Sequence, residues 1–241
     1  MAVAQKIRCR VERITHHGEH VYTVDLVPER RAPTFQPGQF MHLALDAYEP
    51  SGFWPESRVF SIASAPNQRE RLRITYSVQG RFTARMEKEL AEGRFVWIKL
   101  PCGEFIIQGA SGVVLFAGGT GITAFTAFLD GLTPTFPHKV YLAYGARERR
   151  LLIYRDLAEQ RAAMVSQLQP FYFVEHDADG ASAARSEIVG RLSVAAMWSR
   201  IENPLAATYY ISGPPPMLKA ITRDLSERGI RADMLRMDAW E

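Results

Sequence analysis

The stretch GVVLFAGGTGITAFTAFLDG, residues 112–131, decides the fold of this chain. It begins with the apolar run 113–116, which is too short for a buried helix and is typical of a strand covered on both faces. Glycines and a threonine fill positions 118–121. The next large apolar residues recur at helical spacing: Ile122, Phe125, Phe128, Leu129 and Leu132. The pattern therefore predicts a strand that turns through glycines into a helix.

A turn of this kind presents backbone N–H groups and the positive end of the helix dipole to whatever lies above it. A diphosphate fits such a position, and glycines are needed because a Cβ would hold the phosphates away. The stretch matches neither GxGxxG nor GxxxxGK[ST], so the two commonest nucleotide fingerprints are excluded. From these residues alone, a phosphate cradle and a simple tight strand–helix turn both remain open.

Composition limits the class of protein. The chain has 241 residues, 47% of them hydrophobic and 23% charged, which is typical of a globular protein with a substantial core. Its formal net charge is +3 and its pI is about 8.9. The arginines are scattered rather than massed, so we expect no nucleic-acid binding, whereas an acidic protein partner is compatible with this charge.

The sequence contains no pattern typical of a targeting segment or of a metal site. No apolar run is long enough to span a bilayer, and the start MAVAQKIRCRVER becomes charged at once, unlike a signal peptide. Cys9 and Cys102 are the only cysteines, and the six histidines show no metal-ligand spacing. We therefore expect a cytoplasmic protein with reduced thiols, no metal and, by default, a monomeric state.

The first part of the chain reads as β-rich. Short apolar or alternating runs predict strands at 21–26, 39–45, 71–78 and 95–100, the last closed by Pro101. One helix interrupts them, with Thr83 as its expected N-cap and Gly93 as its stop. Such an order favours a small antiparallel barrel or sandwich.

After about residue 110, strands and helices alternate. The predicted strands are 140–144, 171–174 and 208–211, and the predicted helices are 154–168, 192–201 and 217–229. This alternation indicates a doubly wound parallel sheet. We place the boundary near 108–111 and predict two domains, 1–109 and 110–241.

Other segments carry possible binding chemistry. Arg58 beside Phe60 and Ser61 on a strand could grip a phosphate, stack on a planar ring and hydrogen-bond its edge. The turn 80–83 opens a helix and is a second candidate phosphate site. The segment 212–217 follows a strand of the parallel sheet, and its prolines stiffen the start of a helix. Each segment alone is also explained by an ordinary strand with a surface arginine, a simple N-cap or a turn.

Taken together, RVFSIAS (58–64), GRFT (80–83), AGGTGITAF (117–125), YGAR (144–147) and SGPPPM (212–217) resemble the motifs of the ferredoxin–NADP reductase superfamily, in the same order. The resemblance covers essentially the whole chain. It implies an antiparallel flavin-binding barrel followed by a nicotinamide-nucleotide domain, with hydride passing between the two cofactors at the domain cleft. It also implies NADPH or NADH as reductant and FAD, rather than FMN, as the bound flavin.

The resemblance assigns roles to residues of this chain. Arg58 would pair with a flavin phosphate, Phe60 would stack on the flavin and Ser61 would hydrogen-bond near N5. The residues expected at catalytic positions are Ser61, Ser212, Asp238 and Trp240, the last as a ring that shields the flavin. The residues expected to bind cofactors are Arg58, Val59, Phe60, Ser61, Tyr76, Ser77, Val78, Gly80, Arg81, Phe82, Thr83, Gly119, Thr120, Gly121, Ile122, Arg147, Gly213, Pro214, Met217 and Trp240.

The chain departs from the family pattern at a few positions. Ser212 stands where cysteine is common, Ala124 where proline is usual and Phe60 where tyrosine is more common. Residues 48–56 could form an extra loop near the flavin. Because the chain lacks the cysteines of cluster-bearing members, we expect its electrons to leave to a separate acceptor. Hydride transfer also needs no acid–base set, since the cofactors perform the chemistry and the protein positions them.

The identity of the nucleotide and of the acceptor stays open. Arg147 and Arg191 could bind a ribose 2′-phosphate, whereas Glu175 and Asp177 would repel one; we favour NADPH. The first hypothesis is a reductase that supplies single electrons to a ferredoxin, flavodoxin or oxygenase component, a small acidic carrier suiting the mildly basic chain. The alternatives are a reductase of free flavin or another small acceptor, and a non-catalytic nucleotide-binding sensor or assembly subunit.

Overall fold

The computed structural model describes residues 3–109, 111–176 and 186–238, which form two compact units. One unit runs to Ile106 and includes Thr126–Phe128; the other comprises Ile107–Phe125 and the residues from Leu129 onward.

The first unit is an antiparallel barrel with one helix. Its elements in chain order are β1 (Gln5–His16), β2 (Val21–Pro28), β3 (Phe40–Ala44), β4 (Ser57–Ser61), β5 (Leu72–Ser77), α1 (Arg81–Glu89) and β6 (Phe95–Cys102). The strands are hydrogen-bonded in the order β4-β3-β6-β1-β2-β5. Just after β4, the Ala63 N–H donates to the Arg73 carbonyl in β5 at 2.9 Å, so the two edges of the sheet approach each other. The predicted barrel is confirmed.

Strand β1 is the longest strand of the barrel, and it is missing from the strands predicted above. Between Lys6 and Val11, buried and exposed residues alternate strictly, as a strand with one face on the core requires. Cys9 lies on the inner face, fully buried, and burial raises the pKa of its thiol well above the usual value. Its reactivity is correspondingly suppressed.

The second unit is a parallel sheet with helices. Its elements are β7 (Val113–Gly118), α2 (Thr123–Gly131), β8 (Val140–Ala146), α3 (Arg155–Met164), β9 (Leu168–Val174), β10 (Glu187–Val189), α4 (Val194–Trp198), β11 (Thr208–Ser212), α5 (Pro215–Glu227) and β12 (Leu235–Asp238). The strand order is β10-β9-β8-β7-β11-β12, and every pair is parallel. All residues of β7 and β8 are buried, as expected for strands covered on both faces. The predicted doubly wound sheet is confirmed.

Some predicted boundaries are wrong. The helix expected over 154–168 ends at Met164, because the apolar residues that continue its spacing belong to a buried turn at Val165 and to the start of β9 at Leu168. The strand expected to stop at Pro101 continues to Cys102. The proline is tolerated there because it lies where the pairing with β3 shifts register.

The topology of the parallel sheet singles out one crevice. From β7 the chain adds β8, β9 and β10 on one side, and then returns to place β11 and β12 on the other. The boundary between β7 and β11 is therefore the point where the strand order reverses. In open parallel sheets, ligands bind beyond the carboxyl ends of the strands at this position.

Candidate functional site

The carboxyl ends of β7 and β11 bring the glycine turn against the proline segment. A Cβ built on Gly121 would lie 2.4 Å from the carbonyl oxygen of Ser212, and one on Gly118 would lie 2.5 Å from the sulfur of Met217. A Cβ on Gly213 would lie 2.6 Å from Cε of the same methionine, and its φ of +157° also favours glycine. The predicted residues of these two segments thus form one cluster, in which a Cβ would meet fixed backbone at Gly121 and the movable end of the Met217 side chain at Gly118 and Gly213.

The strand–helix turn after β7 passes through a single 3₁₀ turn, Gly119–Ile122, before α2 begins. Gly119 adopts φ +54°, and a Cβ there would meet nothing within 4 Å, so the outer side of the turn is open. The Thr123 hydroxyl donates to the Thr120 carbonyl at 2.8 Å and holds the turn closed. Ile122 is fully buried, so only its backbone could reach a ligand. The arrangement leaves room for an anion directly beyond a glycine backbone.

Ser212 and Asp238 are hydrogen-bonded partners. The serine hydroxyl donates to a carboxylate oxygen of Asp238 at 2.9 Å, and the two residues are only 2% and 3% exposed. They also pair directly in the register of β11 and β12. A hydrogen bond between a buried hydroxyl and a buried carboxylate fixes the rotamers of both side chains. Trp240, which we expected beside them, lies outside the described residues.

Arg147 follows β8 and is exposed at the same edge of the parallel sheet. Within the part of the chain that the structure describes, it forms no ion pair. Its backbone carbonyl accepts a hydrogen bond from the His176 N–H at 2.8 Å, which holds the main chain of this segment. Arg191, in contrast, is paired with Glu175 at 3.2 Å. Asp177, which we expected to oppose a 2′-phosphate, is outside the described residues.

In the barrel, the predicted arginines converge on a carboxylate. The Arg58 guanidinium lies 5.4 Å from the ring centroid of Phe82, and its Nη1 donates to the Ser57 carbonyl at 2.9 Å. Glu56 lies 3.7 Å from Arg58 and accepts a hydrogen bond from Arg81 at 3.1 Å. The structure therefore places the two predicted phosphate-binding segments, RVFSIAS and GRFT, at one locality of the barrel.

Glu56 is a residue of this locality that the motifs did not reveal. A signal was present, since residues two apart on an extended chain point to the same side, and Glu56 stands two positions before Arg58. Arg85 also approaches this carboxylate, at 3.8 Å. In the structure, a carboxylate occupies the position between the cations that an anionic ligand would approach.

We expected Thr83 to be the N-cap of α1, but the N-cap is Gly80. Thr83 is the third residue of the helix, and its hydroxyl accepts from the backbone N–H groups of Gln79 and Gly80 at 2.9 and 3.1 Å. The side chain thus stabilises the turn from within the first helical turn. A Cβ on Gly80 would meet nothing within 4 Å, so the space before the helix is open.

The remaining barrel residues lie on the two strands whose edges approach each other. The rings of Phe60 on β4 and Tyr76 on β5 meet edge-to-face with centroids 6.1 Å apart. Burial raises the pKa of Tyr76, so its phenol stays neutral. Ser61 is 7% exposed, and within the described residues its hydroxyl has no hydrogen-bond partner. The other predicted residues of these strands and of the turn after β5 are partly accessible: Val59, Ser77 and Val78.

Within residues 3–109, 111–176 and 186–238, no group of three or more His, Cys, Asp or Glu side chains could hold a metal ion. In the same residues, no helix is long and apolar enough to cross a membrane.

Comparison with known proteins gives consistent matches. Residues 115–223 match the family described as "Oxidoreductase NAD-binding domain". The chain is 28% identical over 219 residues to a flavohemoprotein of Pseudomonas putida, covering 89% of this chain and 53% of that protein. It is 27% identical over 251 residues to the reductase component of propane 2-monooxygenase of Rhodococcus jostii, covering 98% of this chain and 64% of the relative.

A solved structure shares the fold over the whole chain. It is a ferredoxin NADP⁺ reductase from Neisseria gonorrhoeae with bound FAD and NADP, which superposes with a TM-score of 0.76 at 18% identity and covers 99% of both chains. The chain spans about half the length of the flavohemoproteins that it matches.

Proposed function

We propose that this chain is a flavin-dependent NAD(P)H oxidoreductase of the ferredoxin–NADP reductase type, which passes electrons to a separate carrier or oxygenase component. The observation that carries the proposal is the glycine turn at the switch point of the parallel sheet, where Gly121 and Ser212 approach too closely for any Cβ. This is the position at which open parallel sheets bind nucleotides.

The parallel unit fits the diphosphate of a nicotinamide nucleotide. Gly119 and Thr120 would bind it through their backbone, since the space beyond Gly119 is open and positive potential is greatest at the start of a helix. Gly213, Pro214 and Met217 would flank the nicotinamide ring. The Ser212–Asp238 hydrogen bond would hold the serine hydroxyl in one orientation beside it.

The barrel fits a flavin. Arg58 and the open start of α1 supply two cationic or N–H-rich positions for phosphate, and Arg81 adds a third. The Ser61 hydroxyl can donate and accept, which fits a hydrogen bond to the ring edge. Arg58 and Arg81 pair with Glu56 in the structure. To bind the flavin phosphate, they must break these ion pairs, which would offset a small part of the electrostatic gain on binding.

When bound, FAD would supply the redox chemistry that links a two-electron hydride donor to one-electron acceptors. The residues of this chain bind and orient the two cofactors rather than move protons, since orientation alone can supply several kcal/mol of the barrier, about 7–11 in favourable cases. We propose FAD rather than FMN because the family relatives that fit the whole chain include a protein with bound FAD.

NADPH is the nucleotide that we favour. Arg147 is exposed at the end of β8, beside the glycine turn strand, and it has no carboxylate partner among the described residues. Arg191 is neutralised by Glu175 and contributes less than its position in the sequence suggested. A ribose 2′-phosphate would therefore meet one uncompensated cation at this edge.

The acceptor that we propose is a separate protein, either an acidic one-electron carrier or an oxygenase component. This proposal is supported by the relative that is a reductase component of a monooxygenase. An acidic carrier also suits the net charge of +3.

The test is anaerobic reduction followed by absorbance. The protein, purified and saturated with FAD, should lose its yellow colour on addition of NADPH and regain it when an oxidised ferredoxin or flavodoxin is added. Flavin that stays oxidised with both NADPH and NADH would refute the proposal. Reoxidation only by free flavin or a small acceptor, with every protein carrier inert, would instead establish the free-flavin reductase.

A further inference from the structure

The outer face of the barrel carries a group of cations on the neighbouring strands β6 and β1. On β1, the inner residues are apolar, whereas Lys6, Arg8 and Arg10 point outward. The register places Lys6 opposite Lys99 on β6, and Arg10 opposite Phe95. Directly opposite residues on neighbouring strands lie about 4.5–5.5 Å apart, so these side chains form one surface.

Each cation of this face lies against an aromatic ring. Lys6 Nζ is 4.2 Å from the ring centroid of Tyr48 and donates to its hydroxyl at 2.7 Å. The Arg8 guanidinium is 3.8 Å from the Phe95 ring, and Lys99 Nζ is 5.7 Å from that of Trp54. We call these residues the outer basic face: Lys6, Arg8, Lys99, Tyr48, Trp54 and Phe95.

The loop between β3 and β4 builds part of this face and is pinned at both ends. Tyr48 contacts Lys6, and at the other end the Trp54 indole N–H donates to the Ser57 hydroxyl at 2.9 Å. Between these anchors, Phe53 is fully exposed. The loop thus holds one large apolar side chain in solvent beside a cluster of cations. Aromatic residues and arginine are enriched at protein–protein interfaces, so this combination favours a protein-recognition surface.

The charge of the outer basic face is largely uncompensated. Among the described residues, the only carboxylate paired with its cations is Glu29, which contacts Arg8 at 3.2 Å. Lys6 and Lys99 form no ion pair in the same part of the chain. Burial, and to a lesser extent Lys99, lowers the pKa of His42 on β3, so this histidine stays neutral at pH 7 and adds no charge to the face. A partner with carboxylates would therefore gain charge complementarity without displacing internal pairs.

The lysines of the outer basic face lie on other strands than the residues proposed to bind flavin. Those residues lie on β4, β5 and the start of α1, and β4 and β5 are the two edge strands of the sheet. The strands β6 and β1 that carry the lysines occupy its centre. The loop of the face does reach β4, since Trp54 donates to Ser57, so only the lysines are set apart from the flavin-binding residues in the strand order.

From these observations we infer that the outer basic face is a docking surface for an acidic segment of another protein, whose carboxylates are held by cations of β1 and β6 rather than by the arginines proposed to bind flavin phosphate. Carboxylates would pair with Lys6 and Lys99, and Phe53 would enter an apolar contact. Single-stranded nucleic acid fits less well, because bases stack on open ring faces and the rings of Tyr48 and Phe95 are covered by cations. The inference does not depend on the proposed redox activity.

Binding of a fluorescein-labelled oligoglutamate peptide to the full chain tests this inference by fluorescence anisotropy. We expect binding that weakens with salt, and a Kd at least about tenfold higher in the double variant Lys6→Glu/Lys99→Glu, since charge reversal replaces attraction by repulsion. The control is Lys139→Glu/Arg223→Glu, which changes the net charge equally but lies in the other unit. It should bind within about twofold of the wild type.

Other results would overturn the inference. Equal weakening of peptide binding in both double variants would show that binding depends only on net charge. If the wild-type chain does not bind the peptide, the proposed docking surface is refuted. A single-stranded oligonucleotide of equal charge that binds more tightly, and is lost in Lys6→Glu/Lys99→Glu, would reassign the face to nucleic acid. Should the charge-reversal variant unfold at a lower temperature, Lys6→Gln/Lys99→Gln gives the same comparison with smaller perturbation.

Discussion

Replacing Gly121 by alanine is the sharpest single test of the nucleotide turn. The added Cβ would lie 2.4 Å from the Ser212 oxygen, 2.6 Å from its carbonyl carbon and 2.7 Å from the Gly213 nitrogen. All three atoms are backbone, so no flexible side chain can move aside. The turn and the end of β11 must separate by about 1 Å before the contact becomes ordinary van der Waals contact.

That displacement has two measurable consequences. Overpacking of this kind typically lowers the free energy of unfolding by about 1–3 kcal/mol. A shift of about 1 Å in a group that positions a reactant can lower the rate about 100-fold, which corresponds to about 2.7 kcal/mol in the barrier. We therefore expect the Gly121→Ala variant to retain its flavin. The rate at which NADPH reduces that flavin should be about 100-fold lower than in the wild type.

Stopped-flow absorbance under anaerobic conditions measures this rate, and thermal unfolding measures the stability. Gly131→Ala is the matched control, because Gly131 ends α2 and its Cβ would meet nothing within 4 Å. Alanine should there leave the reduction rate unchanged and raise the free energy of unfolding by up to about 1 kcal/mol. A wild-type rate of flavin reduction and a wild-type KM in Gly121→Ala would refute the proposed role of the turn.

Further predictions concern the residues around each proposed cofactor. Arg58→Ala combined with Thr83→Ala should release the flavin on gel filtration while circular dichroism stays native, because Arg58 is exposed; unchanged flavin content would contradict the assignment. Ser212→Ala should lower the free energy of unfolding by about 1–3 kcal/mol, since it removes a donor to the buried Asp238 carboxylate, and chemical denaturation that matches the wild type would disprove this. Arg147→Ala should raise the KM for NADPH several-fold and leave that for NADH unchanged in steady-state assays; a wild-type enzyme that strongly prefers NADH would refute our choice of nucleotide.

The sequence predicts the fold well where one residue pattern has one physical meaning. The apolar run from Val113 to Phe116 is typical of a doubly covered strand at that length, and the glycines after it favour a turn, which in the structure begins at Gly119. Strand β1 shows the limit of this reasoning. Its buried and exposed residues alternate regularly. Its many charged residues nevertheless resemble those of an exposed segment, so charge alone argues against a strand that the alternation favours.

Short edge strands escaped prediction for a different reason. β10 has only three residues, and β12 has four, of which Leu235, Arg236 and Met237 remain accessible. Neither is long enough to show a period, and each is defined by pairing with a distant strand rather than by its own sequence. The Ser212–Asp238 hydrogen bond depends on this pairing. Its two residues could be named from a family resemblance, but their contact follows only from the sheet.

The position of Thr83 illustrates how a correct residue can be assigned a wrong local role. A threonine before an apolar helical run normally caps the helix, and the sequence alone offers no reason to prefer Gly80. In the structure, the glycine is the cap and the threonine hydroxyl accepts from two backbone N–H groups outside the helix. The consequence is functional, because those two N–H groups are occupied by the protein itself. An incoming phosphate would therefore rely on the later N–H groups of the first turn and on Arg58, which makes the arginine the more decisive half of the double variant.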